Sequence, residues 1–368
     1  MSGIARYSEL HGPWDFLIRP GDFAQVVPEI RRWGGTGIIA RIPNALVARR
    51  ILKCGLPTIA LGLSDEQLER GNPLSKLCNI GSNPAQVAQM AVDYFLNRCF
   101  SFFGYVGAPD RSWSSRREKE YNRILRKRGF VSHTYVRPRS PGVQQWEYEI
   151  VLMAEWIKRL PKPIGLFACD DSRGREVLEA CMLGGVRVPE EVAVLGVDDD
   201  DVFCNLAQPP LSSITLNAEG AGYQAARLLE EMMQSGRTVK KHIEVQAVGV
   251  VSRRSTEIVA VGDPGLSKAL RFIHDNRGVA ITVADVIEHA GISRRGLEKR
   301  FREFLRRSIL DELQNVRLDE AKRLLLDTSL SITYVALTAG FTNSAYFSQF
   351  FHQRVGMTPR QYRRVLAR

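Results

Sequence analysis

The 368-residue sequence is 44% hydrophobic and 25% charged, proportions that exclude a disordered or fibrous polymer and leave room for two or three cores. Its net charge of +11 is unevenly spread: residues from Gly262 onward hold 18 Lys+Arg against 11 Asp+Glu, the first 261 hold 33 against 29, and the tail is therefore the part fitted to a polyanion such as nucleic acid. No apolar run reaches the ~18 residues of a membrane span, no signal segment opens the chain, and its six cysteines show neither C-x-x-C nor His spacing, which points to reduced thiols in a cytoplasmic protein without metal or cofactor.

Residues 2–11 fit a short amphipathic helix with Ile4, Tyr7 and Leu10 on one side. Strand-like apolar runs follow at 14–18 (WDFLI), 37–42, 58–63, 101–107, 164–171 and 192–201, with helical stretches at 85–98, 116–128, 145–160 and 174–184 between them. Continuous apolar strands separated by helices mean βαβ units with mainly parallel sheets, and about 250 residues of this pattern suits two lobes better than one.

In such sheets small molecules bind outside the carboxyl ends of the strands. Asp170 and Asp171 follow one strand run there, and Asp198 to Asp201 close another. A neutral polyol needs paired acceptors, an aromatic face and an Arg fork, which Asp171, Asp198, Trp113 and Arg117 are able to supply. The competing reading is that Asp residues at strand-to-helix junctions are N-caps, as DDS before the helix at 173 suggests. An enzyme is poorly supported: GGTG at 34–37 lacks the dinucleotide fingerprint, and neither a GK[ST] loop nor a G-x-S-x-G elbow is present.

A linker is expected near 252–266, where VSRRSTEIVAVGDPGLS ends in a Gly-Asp-Pro-Gly turn. Beyond it the pattern is all helical: 267–277, 309–327, a last helix from Pro359, and between them the same pattern written twice. Thr282, Val283, Val286, Ala290, Gly291 and Ile292 match Ser331, Ile332, Val335, Ala339, Gly340 and Phe341 at an offset of 49. Leu297 and Phe301 then match Phe347 and Phe351 at an offset of 50. Each copy reads as helix, Gly turn, helix: Thr282 and Ser331 cap the first helix, Asp285 completes a capping box with Thr282, and the glycines turn the chain. Leu297, Phe301, Phe347 and Phe351 fasten the second helix and leave its other face free. On that face lie Arg294, Arg295, Glu298 and Lys299 in copy one, and Asn343, Ser344, Ala345 and Gln349 in copy two. Arg reads guanine and Glu reads cytosine, whereas Asn and Gln suit adenine; Arg300, Arg302 and His352 are assigned to phosphate or solvent.

The tail, with RLDEAKRLLL at 317–326 and AGFTNSAYFSQFFHQRVGMTPRQYRR at its end, resembles the AraC/XylS family, with Gly340, Phe341, Phe347, Phe351, Gly356, Pro359, Tyr362 and Arg363 on the family pattern. DDSRGREVLEACMLGGVRVPEEVAVLGVDDDD resembles the sugar-sensing core of LacI/GalR regulators and type-I periplasmic binding proteins. The combination, including GYQAARLL and SRRST, is similar to the xylose-operon subfamily. The resemblance implies an α/β two-lobed sensor at 1–255, a linker at 256–266 and an all-α AraC-type domain at 267–368 with helix-turn-helices at 282–304 and 331–354. Lobe one is expected over about 1–100 plus 212–236 and lobe two over about 101–211 plus 240–255. It also implies a sugar-responsive regulator, an activator for a pentose such as D-xylose, that closes its lobes on sugar and acts on operator DNA as a homodimer with RNA polymerase as partner. The implied sugar contacts are Arg117, Asp171 and Asp198, with Trp113, Asn83 and Asp170 beside them. Two departures stand out. Relatives begin with a strand ahead of the opening helix, which this sequence lacks, and Ser82 stands where they carry an acid. Alternatives of another kind are a regulator whose α/β half only dimerises, and an α/β enzyme with a basic tail.

Overall fold

The computed structural model describes residues 1–18, 34–108, 111–137, 146–237, 239–257, 263–305 and 307–366. Two compact units result: Met1–Ala88 with Ala108–Glu120 and Leu216–Ala247, and Gln89–Gly107 with Tyr121–Thr215 and Val248–Arg368.

The first unit is built on a four-stranded sheet in the order β1 (Ile38–Ala40), β2 (Thr58–Leu61), β3 (Cys78–Ser82) and β9 (His242–Val245), with every registered pair parallel. One face is covered by α2 (Ala45–Cys54), which places Val47, Ala48 and Ile51 against Ile38, Ala40 and Leu63. The other is covered by α9 (Ala218–Ser235), whose Ala221, Ala225, Leu228 and Met232 meet Ile59, Cys78 and Ile243. The helix α1 (Ser2–His11) lies against α9, and only glycine fits at position 3, where a Cβ would stand 1.9 Å from the Glu219 carbonyl oxygen.

The second unit holds a six-stranded sheet in the order β10 (Ala247–Val251), β8 (Ser212–Leu216), β7 (Val192–Asp198), β6 (Ile164–Ala168), β4 (Phe102–Val106) and β5 (Ser132–Tyr135). Burial on both faces explains why these strands read as unbroken apolar runs. Helices α6 (Trp146–Arg159) and α7 (Asp171–Gly184) cover one face through Met153, Ile157, Val177 and Cys181. Phe95, on α4 (Pro84–Leu96), packs on β6 so closely that a Cβ at Gly165 would meet its ring at 2.7 Å. The helix α5 runs Ser112–Lys127, and the short α3 and α8 span Asp65–Leu68 and Asp201–Leu206.

The tail of this unit is helical: α10 (Pro264–Asp275), α11 (Val283–Ala290), α12 (Arg294–Leu305), α13 (Ile309–Asp327), α14 (Ile332–Thr338), α15 (Ser344–Val355) and α16 (Pro359–Leu366). The long α13 belongs to two cores: Ile309, Leu313 and Val316 join Leu266, Leu270, Leu297 and Phe301, whereas Leu318, Ala321 and Leu325 join Val335, Phe347, Phe351 and Tyr362.

Several expectations are corrected. The run at 14–18 forms no strand; Trp14 turns back on α1, its N–H donating to Ser8 Oγ at 2.9 Å and its ring 5.7 Å from that of Tyr7. The strand at 212–216, assigned to lobe one, pairs with β7 in the six-stranded sheet, and the strand at 242–245, assigned to lobe two, pairs with β3. Short runs such as SSITL and HIEV carry no mark of which sheet they will join. The first tail helix starts at Pro264, three residues early, because Asp263 Oδ1 accepts the Leu266 N–H at 2.8 Å and Pro264 occupies the first helical position, where its missing N–H costs nothing. Part of the expected linker, 258–262, lies outside the described residues.

Candidate DNA-reading helices and sensor residues

Both helix-turn-helices are built as their repeat requires. Asp285 Oδ2 accepts the Thr282 N–H at 2.6 Å and the Asp285 N–H returns to Thr282 Oγ1 at 3.4 Å, closing a capping box. The Tyr334 N–H donates to Ser331 Oγ at 3.2 Å. Gly291 and Gly340 hold φ of 68° and 84°, left-handed values that favour glycine, and at Gly340 a Cβ would also stand 2.9 Å from the Val279 carbonyl oxygen. Leu297, Phe301, Phe347 and Phe351 are fully buried, as their spacing requires.

The faces opposite these anchors are open. Arg294, Arg295 and Lys299 are exposed on α12, with Arg294 Nε donating to Glu298 Oε1 at 3.0 Å one turn on. On α15 Ala345 and Gln349 are exposed, while Ser344 is half-buried; Asn343 caps the helix, its Oδ1 accepting the N–H groups of Ala345 and Tyr346 at 2.8 and 3.0 Å. Arg300, expected at phosphate or solvent, instead pairs with the α10 cap: its Nε lies 2.8 Å from Asp263 Oδ2. Tyr346 was missed. It is 46% exposed beside Ala345, and its hydroxyl accepts from Gln314 Nε2 at 2.7 Å. Its place one residue after Ala345 and three before Gln349 was the available signal.

In the first unit, Arg117 is 3% exposed on α5, donates from Nη2 to Ser82 Oγ at 3.2 Å and lies 5.5 Å from the centre of the Trp113 ring, one turn earlier. Ser82, where the resemblance implies an acid, is thus an acceptor for this guanidinium. Asn83 Oδ1 accepts the Gln86 N–H at 3.0 Å at the start of α4.

In the second unit, Asp170 caps α7 through the Arg173 N–H at 2.7 Å. Asp171 is 2% exposed; its Oδ1 accepts from Ser213 Oγ at 2.5 Å and its Oδ2 from the Asp200 N–H at 2.8 Å. Burial pushes its carboxyl up to about 7, against the pull of those hydrogen bonds. Asp198 is exposed at the end of β7 with φ 107°, and Asp199 follows with φ 56°. Consecutive non-glycine residues in that region persist only where surrounding contacts hold them. Here Asp199 accepts from Arg253 Nη2 at 2.9 Å and Thr215 Oγ1 at 3.0 Å. The residues that sequence reasoning missed are therefore Ser213, Thr215 and Arg253, the last inside the SRRST run.

Comparison with known proteins agrees with this layout. The periplasmic binding protein-like domain matches residues 92–256 and the helix-turn-helix domain matches residues 286–365. The chain is a DNA-binding transcription regulator that joins a periplasmic binding protein-like domain to a helix-turn-helix domain. Along its whole length it is similar to the xylose operon regulatory protein of Escherichia coli strain K12: 28% identical over 367 residues, which cover 99% of this chain and 93% of that protein. The protein of the same name from Haemophilus influenzae is 27% identical over 371 residues, 99% of this chain and 94% of its own. A solved structure described as the xylose-binding transcription activator xylR matches with a TM-score of 0.61 at 26% identity, covering 100% of this chain and 94% of that one.

Proposed function

We propose that this regulator answers to a pentose, D-xylose first, and activates pentose-utilisation genes from the cytoplasm as a homodimer that engages RNA polymerase. What carries the reading is the whole-length likeness to xylose operon regulators, joined to an Arg117 and Trp113 pair of the kind that polyols use. The proposed sugar contacts are Arg117, Asp171 and Asp198, with Trp113, Asn83 and Asp170 as further candidates. On the DNA, Arg294, Arg295, Glu298 and Lys299 read one major-groove face, and Asn343, Ser344, Ala345 and Gln349 the next, about one helical turn away.

Calorimetric titration with D-xylose, L-arabinose and D-ribose tests the sensor. Heat with one pentose, abolished by Arg117→Ala, supports it, whereas no heat with any of the three removes the pentose claim. A second reading, in which the α/β half only dimerises, draws on the fact that Asn83, Asp170 and Asp171 already have protein partners. It predicts a dimer in sedimentation and a DNA affinity that no sugar changes.

A further inference from the structure

The SRRST run at 252–256 lies outside the proposed sugar and DNA contacts. In the structure four of its five side chains enter one buried hydrogen-bonded system within the second unit.

At one end stands the strained Asp198–Asp200 turn. Asp199 accepts from Arg253, and its own N–H donates to Ser213 Oγ at 3.0 Å, the hydroxyl that serves Asp171. The Arg253 N–H donates to Ser212 Oγ at 2.7 Å. Ser212 Oγ lies 2.6 Å from Thr256 Oγ1, Thr256 Oγ1 lies 2.6 Å from the Tyr94 hydroxyl, and that hydroxyl lies 2.7 Å from Ser252 Oγ. Arg98 Nη2 donates to Ser252 Oγ at 3.2 Å, with its guanidinium 3.6 Å above the Tyr94 ring. Each hydroxyl has one proton, so one consistent orientation runs from Arg98 through Ser252, Tyr94, Thr256 and Ser212 to the Arg253 carbonyl oxygen, which Ser212 reaches at 2.9 Å. Ser212 and Thr256 are fully buried, where a broken link leaves a polar group unsatisfied.

The other end of the system is in the grip of the DNA-binding tail. Residues 97–99 are held by Arg307, whose Nη2 donates to the Asn97 carbonyl oxygen at 2.7 Å, and by the contact of Cys99 Sγ with the Phe304 carbonyl oxygen at 3.4 Å. Arg307 Nε lies 2.5 Å from Glu312, which is 3% exposed on α13 and stands 3.6 Å from His274 Nε2 on α10. Burial pushes the Glu312 carboxyl up, but the neighbouring His274, Arg307 and Arg98 outweigh this and hold it below the ordinary value. Arg98 therefore stands at the junction: its side chain donates to the hydroxyl chain, while its chain neighbours Asn97 and Cys99 touch Arg307 and Phe304, and Arg307 pairs with Glu312 on the helix shared by the two cores of the tail.

We infer that this chain of side chains couples the two functions of the regulator: Arg253, Thr256, Tyr94, Ser252 and Arg98 transmit the state of the Asp198–Asp200 turn to α13 and hence to both DNA-reading helices. The inference rests on the sensor reading above, and it assigns the regulation of that site. A contiguous network is a claim about coupling free energy, and it is settled only by measuring that energy.

The experiment uses full-length protein, D-xylose, and an operator duplex selected by the protein from a random pool. The quantity read is the ratio of operator Kd without and with saturating D-xylose, expected at roughly 5–150-fold in the wild type. Tyr94→Phe removes the central hydroxyl and keeps the ring. It is expected to leave the sugar Kd, and the operator Kd without sugar, within about threefold, and to collapse the ratio toward one; Thr256→Ser, which retains a hydroxyl, is expected to keep it. An undiminished ratio in folded Tyr94→Phe overturns the proposal. Should that variant not fold, Ser252→Ala at the edge of the chain is judged by the same two criteria. If the wild type binds no pentose, the sensor reading fails separately, and the network is judged by a double-mutant cycle of Asp199→Asn with Glu312→Gln on operator affinity: non-additive losses support it, additive losses overturn it.

Discussion

The two helix-turn-helices are one scaffold with two different surfaces. Beneath the surface they match: Leu297 and Phe301 in one and Phe347 and Phe351 in the other are fully buried, each pair facing its own half of α13. Above it they diverge: α12 exposes Arg294, Arg295 and Lys299, whereas α15 exposes Ala345, Tyr346 and Gln349. Their caps differ too, since copy one closes a box between Thr282 and Asp285 and copy two has Tyr334 where the acid would be. Residues that hold the fold are constrained by packing density, while those on the free face answer only to the groove. On the DNA contacts proposed above, one chain carries two unlike faces and suits an asymmetric site.

The buried match is open to the harshest test. Phe301→Ala and Phe351→Ala each leave a large void and should cost about 3–5 kcal/mol in chemical denaturation of the full chain. If one of them costs less than about 1 kcal/mol, the two anchors are not equivalent. The divergence is tested next: Arg295→Ala should lose about 1–3 kcal/mol of operator affinity and relax preference at one base pair, and Gln349→Ala should relax a different one, both read by binding to single-substituted duplexes. Should Arg295→Ala weaken every duplex equally, Arg295 is a phosphate contact. Lys299→Gln should lower the salt slope of DNA binding by about 1 without altering base preference.

The smallest effect concerns the caps. The N–H and hydroxyl of Thr282 hold Asp285 below the ordinary carboxylate range. Because the folded value is depressed, the stabilisation is present above the unfolded value, near 3.8, and is lost as pH falls through the lower folded one. Amide exchange should therefore show the start of α11 loosening in that window while α14, with no acid in the cap, does not change. Equal loosening of both would mean that the box is not what fastens α11.

Much of the tail was legible in the sequence because its information is local. A cap, a Gly with positive φ and two apolar residues one turn apart specify a helix-turn-helix within some twenty residues, and the residues on the AraC pattern have local duties. Gly356 ends α15 with φ 80°, and Tyr362 is buried edge-on to Phe351 at 5.3 Å. The α/β half was less legible. Trp14–Ile18 has strand composition and forms no strand, since an aromatic partner on α1 offers the Trp14 ring more than a sheet edge does. Arg300 looked like any exposed cation until Asp263, thirty-seven residues away, was seen to hold it.

By itself the sequence determined the alternation of apolar strands with helices, the repeat and its anchors, and the unlike chemistry of the two exposed helix faces. All of these depend on residues within a few turns of one another. Only the tertiary structure decided which sheet received β8 and β9, that Asp170 and Asn83 serve as caps, and that Ser252 and Thr256 of the SRRST run join Tyr94 and Ser212 in a single chain of hydroxyls. Partners more than a hundred and fifty residues apart, such as Tyr94 and Ser252, leave no periodic mark, because a buried hydroxyl must be satisfied by whatever the fold brings to it.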